Sequence, residues 1–336
     1  MSSLVLTLTE TLRYRGSIGQ WSWVLHRITG LGVVFFLTLH VIDTSWSVFY
    51  PQLYVEAIAT YQSPLFTIGE FGLVAAVVYH AINGVRIVLL DYRPRMWKYQ
   101  RQAAFYVLGI TVVILIPTFV IMFGAVLNFY SGNGQVLGLL RVLTAQIPFV
   151  AGFVVAIIAA LIFGGIITAI LPKRTAAVGV RPQGSRLEKF WWSYMRISGV
   201  IILPLVFGHL GMQHLIQGVF DITSAGHGVV GTNLTNVSGT SVEYVFDRWS
   251  MLVAGVAIWR LYDVALLALT VIHGFNGLRY VLTDYTMASP WLRRSAVYLC
   301  VIASVILLVV GGAAVLSTIN QSALDIATQA AQDLHR

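Results

Sequence analysis

Seven runs of roughly 20 or more mostly apolar residues dominate this chain, at about 22–46, 66–90, 103–128, 147–172, 192–219, 258–283 and 294–318. An α-helix needs a run of about that length to cross the hydrocarbon core of a bilayer. Composition agrees. Of 336 residues, 57% are hydrophobic and only 10% charged, whereas soluble domains carry about 25% charged residues. A chain this poor in charge cannot cover its own surface with polar groups, which excludes a soluble enzyme, a nucleic-acid binder and a disordered protein. The N-terminus up to Gln20 is polar, carries Arg13 and Arg15, and shows no cleavable signal pattern. The stretch 243–257 is expected as an interfacial helix leading into span 6, and 321–336 as a polar tail forming a surface helix. The single cysteine, Cys300, lies inside an apolar run. It excludes disulfides, iron–sulphur ligation and cysteine zinc sites within the chain.

The basic residues set an orientation. Arg13, Arg15 and Arg27 stand at the start of span 1. Arg93, Arg95, Lys98 and Arg101 fill the loop after span 2. Lys173, Arg174, Arg181, Arg186 and Lys189 fill the loop after span 4, and Arg293 and Arg294 follow span 6. The alternate loops hold little positive charge. Basic clusters mark the cytoplasmic side, so the expected protein is multi-pass in the cell's inner (cytoplasmic) membrane, with its N-terminus in the cytoplasm and its C-terminus outside. The net charge of +8 is mostly topology.

Two segments recur. Span 1 opens with His26-Arg27-Ile28-Thr29-Gly30 and reaches His40; span 5 opens with Met195-Arg196-Ile197-Ser198-Gly199 and reaches His209. Span 2 ends with His80, Asn83, Gly84, Arg86, Asp91 and Tyr92, and span 6 with His273, Asn276, Gly277, Arg279, Asp284 and Tyr285, at identical spacing. Each half is then a three-span unit, 1–130 and 189–320. A three-span unit that starts inside ends outside, so a second unit of the same orientation needs one more crossing. Span 4, within 131–188, supplies it. The repeat is parallel, unlike the inverted repeats common in transporters.

Four histidines are repeat-related and fall within apolar spans: His40, His80, His209 and His273. Ionisable groups inside a membrane are costly and generally face a bundle interior where they act. A bis-histidine haem suits two such pairs, since neutral imidazole is a good iron ligand and bundles build cofactor sites from facing helices. Zinc fits less well, because no second His or Cys lies at helical spacing. A proton relay would want carboxylates alternating with the histidines, and none does so along the sequence. Gly84 and Gly277, one turn beyond His80 and His273, leave room either for a flat macrocycle or for close helix packing. Arg27, Arg196, Arg86 and Arg279 are placed either to pair with haem propionates or to anchor the span ends. His40 lies 13 residues from Arg27, and His80 lies 6 from Arg86, or about 20 Å and about 9 Å along a helix. Two stacked haems follow, His80–His273 nearer the cytoplasm and His40–His209 deeper. The expected fold is an all-α integral membrane protein: two parallel three-helix repeats joined by an extra helix, around a central haem-binding four-helix bundle. His26 is a further candidate beside a propionate, and His214 a rival to His209 that breaks the repeat register. Arg260 is placed either to meet the deeper propionates or to anchor the outer end of span 6. His227 and His335 read as solvated.

With these motifs in hand, the chain resembles the cytochrome b membrane anchor of succinate dehydrogenase (complex II). The opening His26–Gly30 and the run His80–Asp91 resemble the larger anchor subunit, and the opening at Arg196 with the run His273–Tyr285 the smaller. The whole is similar to a fusion of both, of the two-haem type. The resemblance implies haem b, at least one and by the histidines two, with His80, His273, His40 and His209 as iron ligands. It implies a quinone, menaquinone or ubiquinone, in a cytoplasmic-side pocket that includes Arg27, Asp284 and Tyr285, with His26 placed beside it or beside a propionate. Many members place a Ser four residues before that Arg, where this chain has Trp23; Ser22 is one position off. The implied partners are a flavoprotein subunit, which would carry the succinate chemistry, an iron–sulphur subunit, and membrane lipids, and a higher oligomer of the complex is possible. The basic loops would dock the soluble subunits. Two alternatives stand beside this reading: a fumarate reductase anchor of the same architecture, and a secondary transporter.

Overall fold

The computed structural model describes residues 16–132, 138–170, 185–286 and 288–334. Arg13, Arg15, Lys173, Arg174, Arg181 and His335 lie outside the described residues. Among the described residues, seven helices are long and apolar enough to cross a membrane. They are α1 (Ile18–Phe49), α3 (Pro64–Tyr92), α4 (Gln100–Ser131), α6 (Ile147–Ile170), α7 (Arg186–Leu210), α9 (Ile258–Tyr285) and α10 (Pro290–Leu316). With no water in the hydrocarbon core, backbone polar groups must be satisfied within the segment, which selects helix for apolar runs of this length. Local chemistry sets the ends. Pro64 and Pro290 occupy the first turns of α3 and α10, where a missing N–H costs nothing. The Ser185 hydroxyl accepts from the Glu188 N–H at the start of α7. Pro117 and Pro204 lie inside α4 and α7, as membrane helices tolerate.

The helices α1, α3, α7 and α9 form a central bundle. α1 packs on α3 and α9, and α7 packs on the same two. α4 flanks α3, and α10 flanks α9 and α1. The two halves use equivalent residues for equivalent contacts. The Arg27 guanidinium pairs with Asp284, and that of Arg196 with Asp91, at 2.6 Å. Each Arg on the opening helix of one half therefore meets the Asp that ends the second spanning helix of the other. Each guanidinium also lies over a Trp four residues earlier, Arg27 over Trp23 at 3.8 Å and Arg196 over Trp192 at 3.9 Å.

The extra span, α6, packs on α10. Its contact is narrow. A Cβ added at Gly164 would lie 2.8 Å from the Ser295 Cα, and the Trp291 indole N–H donates to the Leu161 carbonyl at 2.7 Å. Val154, Ile158, Ile162 and Ile166 stay exposed, as a lipid-facing surface requires. Because the Ser295 backbone as well as its side chain faces Gly164, Gly164→Ala is expected to destabilise the protein by about 1–3 kcal/mol, the usual cost of overpacking. A lowered Tm in detergent is the check.

At the end opposite the basic loops the chain builds a cap. It comprises α2 (Pro51–Tyr61), the segment 217–257 with a short antiparallel pair, β1 (His227–Gly228) and β2 (Thr235–Asn236), then α8 (Ser241–Ser250), and finally α11 (Gln321–Leu334). Tyr54, Ile58, Val242, Tyr244, Trp249 and Ala327 form its core. The polar tail is thus a helix, docked on α2 and α8 through one apolar face. The expected interfacial helix over 243–257 ends at Ser250. Residues 253–256 instead form a tight hairpin, because Gly255 supplies a positive φ that stops helix propagation.

Candidate functional site

A cavity of about 570 Å³ runs between α1, α3, α7 and α9. At the basic end Trp23, His26, Arg27, Met195, Arg196 and Tyr280 line it. His80 and His273 lie further in, beside Gly30, Gly84, Gly199 and Gly277. His40, His209, His214, Glu70, Trp249 and Asp263 line the capped end. The four repeat-related histidines therefore face one space at two levels.

The inner pair is anchored. His80 Nδ1 lies 3.0 Å from the His26 carbonyl. A carbonyl only accepts, so Nδ1 carries the proton and Nε2 keeps its lone pair. His273 Nδ1 lies 2.9 Å from the Ser198 hydroxyl, which itself donates to the Tyr194 carbonyl at 2.6 Å. The hydroxyl proton is thus spent, Nδ1 donates, and Nε2 is again free. Histidines that bind a metal generally hold their second nitrogen in this way. Gly30 and Gly199 make room for them: an added Cβ would lie 2.8 Å from His80 Cε1 and 3.3 Å from His273 Cε1. Gly84 and Gly277 instead face His26 and Met195 across the bundle.

At the capped level the rings of His40 and His209 are 5.8 Å apart and nearly perpendicular. Two imidazoles ligating one metal ion from opposite sides need about that spacing, at roughly 2 Å per nitrogen–metal bond. His209 Nδ1 is buried without a partner. Among the described residues no group of three or more His, Cys, Asp or Glu side chains is arranged to hold a metal ion. Paired imidazoles with free lone pairs in an apolar cavity do fit a haem iron, whose other four ligands come from the macrocycle.

The arginines divide. Arg27 and Arg196 line the cavity; Arg86 and Arg279 do not. Arg86 is buried and donates to Ser22 Oγ at 2.9 Å, to Asn83 Oδ1 at 3.0 Å and to the Gln100 carbonyl at 3.3 Å. Ser22 is locked in the same cluster with Tyr79 and Asn83. Arg279 is held by Asn276 and Glu188 and lies over the Tyr280 ring. Arg260 donates to the carbonyls of Trp249, Val315 and Ser317. His26 stacks on His80, ring centres 3.9 Å apart and nearly parallel. Tyr285 is 75% exposed and lies outside the cavity, next to the half-exposed Asp284.

Sequence reading missed three features. Glu70 meets His214 Nδ1 at 2.5 Å, so a carboxylate does stand among the histidines, in space though not along the sequence. A lone acid inside an apolar span was the available signal. His214 reaches the cavity because Gly211–Ile216 is a π-helix. Its wider turn brings positions 209 and 214 onto nearly one face, a register change no pattern announces. Tyr280 lines the cavity, four residues before Asp284.

The model of the family described as succinate dehydrogenase/fumarate reductase transmembrane subunit matches residues 8–121 and 173–311, leaving α6 between the two matched segments. The succinate dehydrogenase 2 membrane subunit SdhC of Mycobacterium tuberculosis is 40% identical over 109 residues, which cover 32% of this chain and 80% of that protein. A succinate dehydrogenase hydrophobic membrane anchor subunit of Halobacterium salinarum is 31% identical over 106 residues, 31% of this chain and 82% of that one. Another, of Archaeoglobus fulgidus, is 32% identical over 77 residues, 23% of this chain and 66% of that one. No solved structure gives a significant match.

Proposed function

This chain belongs to the succinate dehydrogenase/fumarate reductase transmembrane subunit family, and from that membership we propose that it is the haem-binding, quinone-reducing anchor of its complex, a fusion of two anchor units. It is a multi-pass membrane subunit of the succinate dehydrogenase type, and the secondary-transporter alternative falls with the family match. The two units are 1–130 and 189–320, and the span between them restores the orientation of the second. The basic end faces the cytoplasm, in a cell's inner membrane, and meets the iron–sulphur and flavoprotein subunits.

The observation that carries this reading is one cavity lined by repeat-related imidazoles at two depths. His80 and His273 would hold one haem b, and His40 and His209 a second. The haem supplies one-electron storage between the iron–sulphur subunit and the quinone. The rest is the chain's own work. Arg27 and Arg196 occupy equivalent positions, yet their donors are spent differently. Arg196 commits Nε and Nη2 to Asp91 and Nη1 to the Trp192 carbonyl. Among the described residues Arg27 commits only Nη2, to Asp284. Arg27 is therefore the guanidinium with two nitrogens uncommitted, held flat on Trp23 at the cavity mouth. It is the group able to receive a quinone carbonyl and stabilise the charge that builds there as electrons arrive. Asp284 pairs with it, Tyr285 follows in sequence, and the two would pass or hold the two protons that two electrons require. Trp23 takes the place of a hydroxyl donor, so headgroup contact on that side is stacking and not hydrogen bonding. Fumarate reduction would use the same parts in reverse.

Reduced-minus-oxidised spectra and a pyridine haemochrome assay on the purified protein test the reading. Two b-type haems per chain are expected. A spectrum without b-type bands would sink it.

A further inference from the structure

The connection between α8 and α9 carries no polar side chain: residues 251–258 read Met-Leu-Val-Ala-Gly-Val-Ala-Ile. Within it Val253 and Val256 exchange backbone hydrogen bonds of 2.9 and 3.0 Å. The two residues between them, Ala254 and Gly255, have φ of 50° and 79°. Positive φ at both central positions is the type I′ hairpin turn, which in water favours Asn-Gly or Asp-Gly. Here the tip is Ala-Gly, and its flanks point outward: Leu252 is 62% exposed, Val253 43% and Val256 49%. A cap bathed in water has no reason to present such a tip, and contiguous exposed apolar surface marks an interaction site.

Its height is fixed by its neighbours. Arg260, in the first turn of α9, donates to the Val315 and Ser317 carbonyls at the end of α10 and to the Trp249 carbonyl just before the hairpin. The hairpin therefore sits level with the ends of two spanning helices, where Leu261 and Leu316 are also exposed. Trp249 and Trp259 flank it, each with its indole N–H donated inward, to Asp263 and to the Gly231 carbonyl. Tryptophan concentrates at that depth of a bilayer.

We propose that the hairpin Leu252–Val256 is seated in the leaflet at the capped end, with lipid acyl chains as its partner. The hairpin is the direct continuation of α8, whose Trp249 lines the capped end of the cavity.

The test uses the purified protein in lipid nanodiscs. A nitroxide is attached at Leu252→Cys or, separately, Val256→Cys, with Ser238→Cys as a water-exposed position on the same cap and the unsubstituted protein as background for Cys300. Collision rates with oxygen and with a water-soluble nickel chelate are read by EPR. Oxygen collisions several-fold above nickel collisions at 252 and 256, with the order reversed at 238, are the expected result. High nickel accessibility at 252 and 256 places the hairpin in water and overturns the proposal. Low accessibility to both reagents places it against protein, such as a second copy of this chain, and overturns it equally. Because the two tip positions are read independently, a failure of one variant to fold leaves the other decisive.

Discussion

Arg27→Ala should lower quinone-reductase turnover by about 10²–10³-fold, the usual loss when one donor to a developing negative charge is removed. Electron delivery from succinate to a dye that accepts at the soluble subunits should stay near normal, because nothing at Arg27 touches them before the quinone does. The loss has two parts. The free N–H groups of Arg27 disappear, and Asp284 is left without its counter-charge. Arg27→Lys keeps the charge but loses the planar fork and its stacking on Trp23, so an intermediate loss is expected. Arg196→Ala is the informative comparison. All three nitrogens of its guanidinium are engaged, by Asp91 and a backbone carbonyl, so the cost should fall mainly on stability and the tie between α7 and α3. Equal loss of quinone turnover in the Arg27 and Arg196 variants would remove the distinction on which the pocket is placed.

Alanine at a histidine of one level should remove one haem from two per chain and leave the other level intact. His80→Ala or His273→Ala abolishes the low-spin signal of the inner level; His40→Ala or His209→Ala abolishes that of the outer one. Within a level the double variant should lose no more than either single, since a bis-histidine site is already broken by one change. Haemochrome quantitation with low-temperature EPR reads both numbers. His26 sharpens the inner test. Its ring is stacked on His80 with an unpartnered, buried Nδ1, so a His80→Ala protein that retains both low-spin signals would point to His26 or another group as the ligand.

Much of this was written in local pattern. The seven spans follow from run length alone, and the parallel repeat from the spacing between Arg27 and His40 and between His80 and Tyr92. The histidine levels follow from counting residues along helices whose rise is fixed. What stayed hidden depends on neighbours distant in sequence. Ser22 stood one position from an expected pocket residue, and only the packing of α1 on α3 shows it closed in with Tyr79, Asn83 and Arg86. Arg86 and Arg279 matched as well as Arg27 and Arg196 did. Their separation from the cavity is a matter of which face each helix turns inward, and the repeat alone does not hold that. The helices expected near 243–257 and in the tail gave no sign of forming one cap, because its core joins α2, α8 and α11 across more than 250 positions of sequence. Glu70 and His214 meet only because a π-turn shifts the register of one helix.

The two histidine levels have an electrical consequence. Gly30 and Gly199 face the inner rings, and His40 and His209 stand ten residues further along the same helices, so the levels differ in depth by about 15 Å, roughly half of the hydrocarbon thickness. A charge moved from one level to the other therefore crosses about half of the membrane potential, which shifts its equilibrium by about 1.1 kcal/mol per 100 mV. Occupancy of the two levels would then report the voltage across the membrane, and an energised membrane would set how readily the deeper level fills.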